Sequence, residues 1–333
     1  MSTHCHVQMG IEMKIVMLDR NSIGMDISTD GFKKFGDWQE YDTMSQEDSR
    51  PLIRDADVII FNKTRMNQEL LKDAKKVKLL CVTATGYDNV DLVYARSRKI
   101  AVCNVRNYST PAVVQHTFSL TLYLLEKISF YNEYVRSGAY SAQMGFSNFS
   151  EHYWELSGKT WGIIGMGNIG RGVAKVAQAF GCHVMFTSMS GRAHNEAYEQ
   201  VDFETLLEKS DIISLHCPLT KETENLMNLH AFSKMKKSAI LINVARGAVV
   251  NDADLYTALS QDMIAAAGLD VLTKEPMDPK NPLAQIKDGR KLIITPHMAW
   301  ASVEARTRCM QEIEKNIDAF LKGEQRNRVD LQD

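Results

Sequence analysis

Three ionisable residues fall just after apolar, strand-like runs in the final third of the chain. Arg246 follows AILINV in NVARGAVV, Glu275 follows AAAGLDV in DVLTKEP, and His297 follows KLIIT in TPHMAW. Ligands of open parallel α/β sheets sit beyond the carboxyl ends of the strands, so all three stand where chemistry is expected. An imidazolium can hand a proton to a carbonyl oxygen near neutral pH. A carboxylate beside it favours the charged ring and fixes its orientation. A planar guanidinium fork grips a carboxylate and polarises the neighbouring carbonyl. Together they suit hydride addition to a ketone that adjoins a carboxylate. Any one alone would read as a surface charge or a satisfied core histidine. His116, His152, His183, His194, His216 and His230 show no comparable partner at a strand end and are assigned no catalytic work.

A hydride needs a carrier, and WGIIGMGNIGRGVAKVAQAFG has the form of a site for one. An apolar strand leads into Gly165, Gly167 and Gly170, and a helix follows until Gly181. A bare G-x-G-x-x-G is weak, but strand, glycines, helix and next strand fall here in order. Gly165 permits the tight turn and Gly167 the approach of a pyrophosphate. Gly170 allows close packing of helix on strand, while the helix N-terminus supplies N–H groups and a positive dipole end. Nothing similar follows KIVMLDR near the start, so only the second half is expected to bind a dinucleotide.

The elements that must position these groups alternate along the chain. KIVML (14–18), DVIIF (57–61), KLLCV (78–82) and IAVC (100–103) read as strands, with helices near 67–76 and 90–98. WGIIG, HVMFT, DIISLH, AILINV, AAAGLDV and KLIIT follow, separated by helices near 168–180, 203–209, 230–236 and 252–260. This is an α/β pattern with two Rossmann-like domains and parallel sheets. Between the halves, residues 109–138 read as one long apolar helix that starts near Pro111 and stops at Gly138. It suits a buried core position, an interface, or both. Residues 302–321 form a last helix with Val303, Arg306, Met310, Ile313, Ile317 and Phe320 at helical spacing. With no strand after it, this helix is expected to return to the first domain. The expected division is a loose extension over 1–12, a discontinuous domain of 13–106 plus 300–333, and a dinucleotide domain over 107–299.

Bulk composition narrows the function classes. The 333 residues are 44% hydrophobic and 24% charged, with a net charge of −2. That balance gives no electrostatic case for nucleic acid or an anionic membrane, and no apolar run is long enough to span one. The six cysteines include no C-x-x-C pair and mostly sit in or beside strand-like runs, as reduced thiols of a cytoplasmic protein do. The HCH at 4–6 reads as an incidental tail, and no metal is expected.

With these residues in hand, the chain resembles the D-isomer-specific 2-hydroxyacid dehydrogenase family from Met13 onward. TGYDNVD (85–91), YSTPAVVQHT (108–117), GKTWGIIGMGNIG (158–170), HCPLTKET (216–223), NVARGAVV, GLDV (268–271) and TPHMAWAS (295–302) carry the resemblance. It implies a discontinuous substrate domain flanking a Rossmann-type domain, an active site in the interdomain cleft, and a homodimer. By motif match Arg246, Glu275 and His297 are its catalytic arginine, glutamate and histidine. Cofactor contacts are implied for Gly165, Met166, Gly167, Asn168, Ile169, Gly170, Ser188, Ser190, Arg192, Cys217, Pro218, Val244, Ala245, Arg246, Asp270, His297 and Ala299, with Asp270 on the nicotinamide amide. Substrate contacts are implied for Thr85, Gly86 and Tyr87, whose backbone N–H groups meet the substrate carboxylate, and for Arg246, His297 and Trp300. VQHTFSL and PHMAWASVEAR look most like glycerate dehydrogenases, also called hydroxypyruvate reductases. Hydroxypyruvate, or glyoxylate, is therefore the expected substrate. A dehydrogenase of another 2-oxo or 2-hydroxy acid (pyruvate, a branched-chain acid, 3-phosphoglycerate) and a dinucleotide-sensing corepressor are the alternatives.

One departure concerns the cofactor. The strand after the fingerprint helix ends in FTSMSGR, where an aspartate or glutamate is expected on the adenosine ribose. Ser188 takes that position. Losing the acid removes repulsion toward a 2′-phosphate, and Ser190 and Arg192 add donors for one. NADP is therefore favoured over NAD.

Overall fold

Short β-branched runs become parallel strands buried on both faces, as a sheet covered by crossover helices requires. The computed structural model describes residues 13–189 and 197–331. The chain divides into two compact units, one made of the chain up to Ser109 together with Ala301 onward, the other of Thr110–Trp300.

The first unit holds β1 (Met13–Met17), β2 (Gly36–Glu40), β3 (Val58–Phe61), β4 (Leu79–Val82) and β5 (Ala101–Cys103), ordered β2-β1-β3-β4-β5 and parallel throughout. β2 was not foreseen. Its sequence GDWQE is polar and half-exposed because it forms a sheet edge, and it lacks the apolar signature of the inner strands. Glycine is required at its start: a Cβ on Gly36, at φ +142, would lie 2.2 Å from the Met13 carbonyl oxygen.

Beyond the ends of β1 and β3, the buried Asp19 carboxylate accepts the backbone N–H groups of Asn62 (2.8 Å), Lys63 (2.7 Å) and Thr64 (3.3 Å). Successive N–H groups of this kind make an anion-binding nest. Here the anion is internal, which is a physical reason for this unit to lack a phosphate loop of its own.

The last helix, Val303–Leu321, is capped by the Ser302 hydroxyl, which accepts the Ala305 N–H. It buries Ala305, Cys309, Met310, Ile313, Asn316, Ile317 and Ala319, whereas Val303 is exposed. The Asn316 side chain donates to the Asn104 carbonyl and Arg306 forks onto Asp26, so the helix belongs to the first unit.

The second unit holds β6 (Thr160–Ile164), β7 (His183–Thr187), β8 (Glu199–Gln200), β9 (Ile212–Leu215), β10 (Ile240–Asn243), β11 (Ala266–Leu269) and β12 (Leu292–Ile294). Their order is β12-β11-β10-β9-β6-β7-β8, again parallel throughout. The two-residue edge strand β8 also escaped the sequence reading. Apolar side chains fill both faces of the sheet: Leu241, Ile213 and Leu269 on one, Trp161, Ile163 and Ile242 on the other.

The long central helix is two helices. Thr110–Leu125 buries a stripe of Val113, Val114, Thr117, Phe118, Leu120, Thr121, Leu124 and Leu125. Lys127 then turns left-handed at φ 55, and Ile128–Arg136 follows with no buried residue. The apolar content of both segments is continuous, but a left-handed break leaves no mark on hydrophobic period. No helix among the described residues is long and apolar enough to cross a membrane.

Candidate active site

The glycine loop follows β6 and opens the helix Asn168–Ala179. Gly165 sits at φ +100, where a Cβ would press to 2.7 Å from the Cys217 backbone nitrogen; at Gly170 it would lie 2.2 Å from the Gly165 carbonyl oxygen. Around Gly167 the space is open, and no side chain caps the helix start there. Tight turn, tight packing and an open approach are the features a pyrophosphate needs, so these residues fit a dinucleotide. A fourth glycine, Gly172, was not singled out from the sequence. A Cβ there would meet Val114 at 2.6 Å, so it sets the contact between the two helices.

Of the other residues expected at the cofactor, Met166, Val244 and Ala299 are buried in one core cluster and Cys217 in the other. Such positions offer a ligand mainly their backbone. Asn168 and Pro218 are exposed, and Ile169 and Ala245 are half-buried. The Gly165 N–H donates to the Thr187 carbonyl at 3.1 Å, which sets half-buried Ser188 beside the glycine loop. Ser190 and Arg192 lie outside the described residues, as do His194 and the HCH at 4–6.

Arg246, Glu275 and His297 follow β10, β11 and β12, three adjacent strands. The His297 Nδ1 lies 2.7 Å from Glu275 Oε2. Glu275 Oε1 accepts the Leu272 N–H at 3.0 Å, which fixes the carboxylate's orientation. The imidazole and the carboxylate are each about one-third exposed, enough to meet a ligand. Arg246 is held by the buried Asn243, whose side chain donates to the Arg246 carbonyl at 3.0 Å and accepts the Ala245 N–H at 3.0 Å. Behind it, a Cβ on Gly247 would fall 1.9 Å from the Leu272 carbonyl carbon. The arginine turn is thus locked against the turn that carries Glu275. Asn243 and Gly247 escaped notice because neither carries chemistry of its own.

Asp270 is buried, and both its oxygens face the histidine turn. They accept the Thr295 hydroxyl at 2.6 Å and the N–H groups of Met298 (2.7 Å) and Ala299 (2.8 Å). Trp300 packs half-buried against the core.

The other histidines separate by environment. His216 is half-buried, but both its ring nitrogens are buried and neither is bonded to a described residue; this burial pushes its pKa down to about 3, so its ring stays neutral. His152, His183 and His230 are exposed. For His116 the expectation fails: its Nε2 lies 2.9 Å from Thr295 Oγ1 and 3.5 Å from Asp270 Oδ1, a partner at the end of β11. The partners are 179 residues away from it, too far for any local pattern to connect them.

In the first unit, the loop after β4 carries Thr85, Gly86 and Tyr87. The Asn104 side chain donates to the Thr85 carbonyl at 2.8 Å, and the Thr85 hydroxyl donates to the Val105 carbonyl at 2.9 Å. No hydrogen bond from the backbone N–H of these three residues is found among the described residues.

The chain is similar to known proteins. Residues 118–299 match the D-isomer specific 2-hydroxyacid dehydrogenase NAD binding domain. A hydroxypyruvate reductase of Blautia hydrogenotrophica is 37% identical over 93% of this chain and 98% of its own. A glycerate dehydrogenase of Methylorubrum extorquens is 37% identical over 95% and 99%. The structure of an acyclic imino acid reductase with NADPH and D-Arg superposes with a TM-score of 0.83 at 32% identity, covering 95% of this chain and 100% of that one. With the glycine loop and the histidine–glutamate pair in place, the chain belongs to the D-isomer specific 2-hydroxyacid dehydrogenase family.

Proposed function

We propose that the protein reduces hydroxypyruvate to D-glycerate, and glyoxylate to glycolate, with a reduced nicotinamide dinucleotide. The observation that carries the chemistry is the 2.7 Å pair of His297 Nδ1 and Glu275 Oε2 beyond the strand next to that of Arg246. The bound nicotinamide supplies the hydride. Nδ1 is committed to Glu275, so Nε2 is the nitrogen left to give a proton to the carbonyl oxygen. Glu275 balances the imidazolium, and Arg246 grips the carboxylate while polarising the carbonyl. The names of the two relatives above support the substrate.

We assign the cofactor as NADP in preference to NAD, on the loss of an acid at Ser188. A panel of 2-oxo acids assayed with both reduced cofactors tests substrate and cofactor together. Hydroxypyruvate and glyoxylate are expected to be the best substrates, with NADPH used at least as efficiently as NADH and Arg192→Ala weakening NADPH selectively. Faster turnover of pyruvate or a bulky 2-oxo acid would overturn the substrate. A strong NADH preference untouched by Arg192→Ala would overturn the cofactor.

We also assign a homodimer. Met144, Phe146 and Phe149 are 101%, 89% and 82% exposed in one segment, and apolar side chains clustered in this way mark association surfaces. Light scattering is expected to give twice the monomer mass, and a monomer at micromolar concentration counts against it. The buried, unpaired thiols of Cys81, Cys103, Cys182, Cys217 and Cys309 support a reducing, cytoplasmic setting.

A further inference from the structure

We propose that His116 is a positioning residue, which holds the turn presenting His297 through the Thr295 hydroxyl and the Asp270 carboxylate. The proposal rests on the assignment of His297 as proton donor. His297 sits at φ 56, a left-handed conformation that few residues other than glycine adopt. Such a conformation persists where the surroundings over-determine it. Here the His297 N–H donates to the Asp270 carbonyl at 2.8 Å and to the Thr295 carbonyl at 2.9 Å. The next two N–H groups, of Met298 and Ala299, run to the Asp270 carboxylate. Asp270 is therefore the hub of the turn, and Thr295 supplies its remaining side-chain donor.

The direction of each hydrogen bond follows from the chemistry of a hydroxyl, which has one proton to give. Thr295 gives it to Asp270 Oδ1 at 2.6 Å, so at 2.9 Å from His116 it can only accept. His116 must then carry its proton on Nε2, and that N–H, 3.5 Å from Asp270 Oδ1, also lies toward the carboxylate. The ring is mounted on Thr110–Leu125, a helix whose Val113, Thr117 and Leu120 are buried on either side of it. A rigid helix thus fixes the rotamer of Thr295, Thr295 fixes Asp270, and Asp270 fixes the backbone under His297. Without His116 the hydroxyl keeps only its bond to Asp270, and the hub loosens.

Three variants test this: His116→Ala, His116→Gln and Thr295→Val. Glutamine places an N–H donor where Nε2 stands, so it restores the bond to Thr295 without an imidazole. His116→Ala is expected to lower kcat by about ten- to a hundredfold, the scale for a misplaced reacting group. KM for the 2-oxo acid should change little, because Arg246 is held separately by Asn243 and Gly247. His116→Gln is expected to regain most of the loss. The double variant of His116→Ala with Thr295→Val should be no worse than the more damaged single, since both break one chain. Backbone hydrogen exchange in the peptide covering 297–299 should quicken in His116→Ala while the β6 peptide stays unchanged. If His116→Ala does not fold, Thr295→Val takes its place in the exchange comparison. Wild-type kcat and exchange in the alanine variant, or glutamine performing no better than alanine, would overturn the proposal. If the unmutated protein reduces no 2-oxo acid, the functional reading fails instead, and exchange at 297–299 still decides whether His116 holds the turn.

Discussion

His297→Ala is expected to lower turnover in the reduction direction by about two to four orders of magnitude, the scale of losing a general acid. The substituted side chain is one-third exposed, so the fold should survive. Glu275→Gln separates the charge of the pair from its geometry. The glutamine amide can still accept from Nδ1, but it no longer balances an imidazolium. The charge that faces the ring is then lost while the ring keeps its orientation. Turnover in Glu275→Gln should therefore fall, but by less than in His297→Ala, where the proton donor itself is gone. Steady-state rates for both variants check this. Wild-type turnover in Glu275→Gln would take the carboxylate out of the mechanism, and a His297→Ala enzyme within threefold of wild type would take the histidine out.

Arg246→Ala is expected to reduce kcat/KM by about two to four orders of magnitude, from two hydrogen bonds to a charged group at ~1.5–3 kcal/mol each. Both parameters should suffer. The grip on the carboxylate acts in the ground state and appears in KM, whereas polarisation of the carbonyl grows toward the transition state and appears in kcat. Arg246→Lys should rescue little, because one ammonium cannot reproduce the planar fork. The Asn243 side chain and the close approach of Gly247 to Leu272 hold the backbone whichever side chain is present, so misfolding should not confound the measurement. Stopped-flow binding of a 2-oxo acid beside steady-state rates would separate the two effects. A large KM change with unaltered kcat would confine Arg246 to binding.

Much of the molecule was legible in its sequence. Inner strands show as β-branched runs because both faces of a parallel sheet are dry, and the glycine fingerprint shows because each glycine answers a local steric demand. Arg246, Glu275 and His297 stood out because strand ends are readable and parallel strands end on one side. The edge strands β2 and β8 were missed for the converse reason: half-exposed or exposed edge pairing leaves no hydrophobic period. The break at Lys127 was missed because one left-handed residue changes a helix without changing its composition.

By itself, then, the sequence determined which residues could do chemistry and on which side of the sheet they stand, since both follow from local pattern and a fixed strand direction. Tertiary structure alone decided what those residues touch. Strand order brought Glu275 to His297 across 22 residues, and helix packing brought His116 to Thr295 across 179. It also let Asp19 reach the backbone of Asn62–Thr64 in the first unit. These pairings depend on how elements stack, and burial periodicity reports only that a side chain is inside, never which partner it meets there.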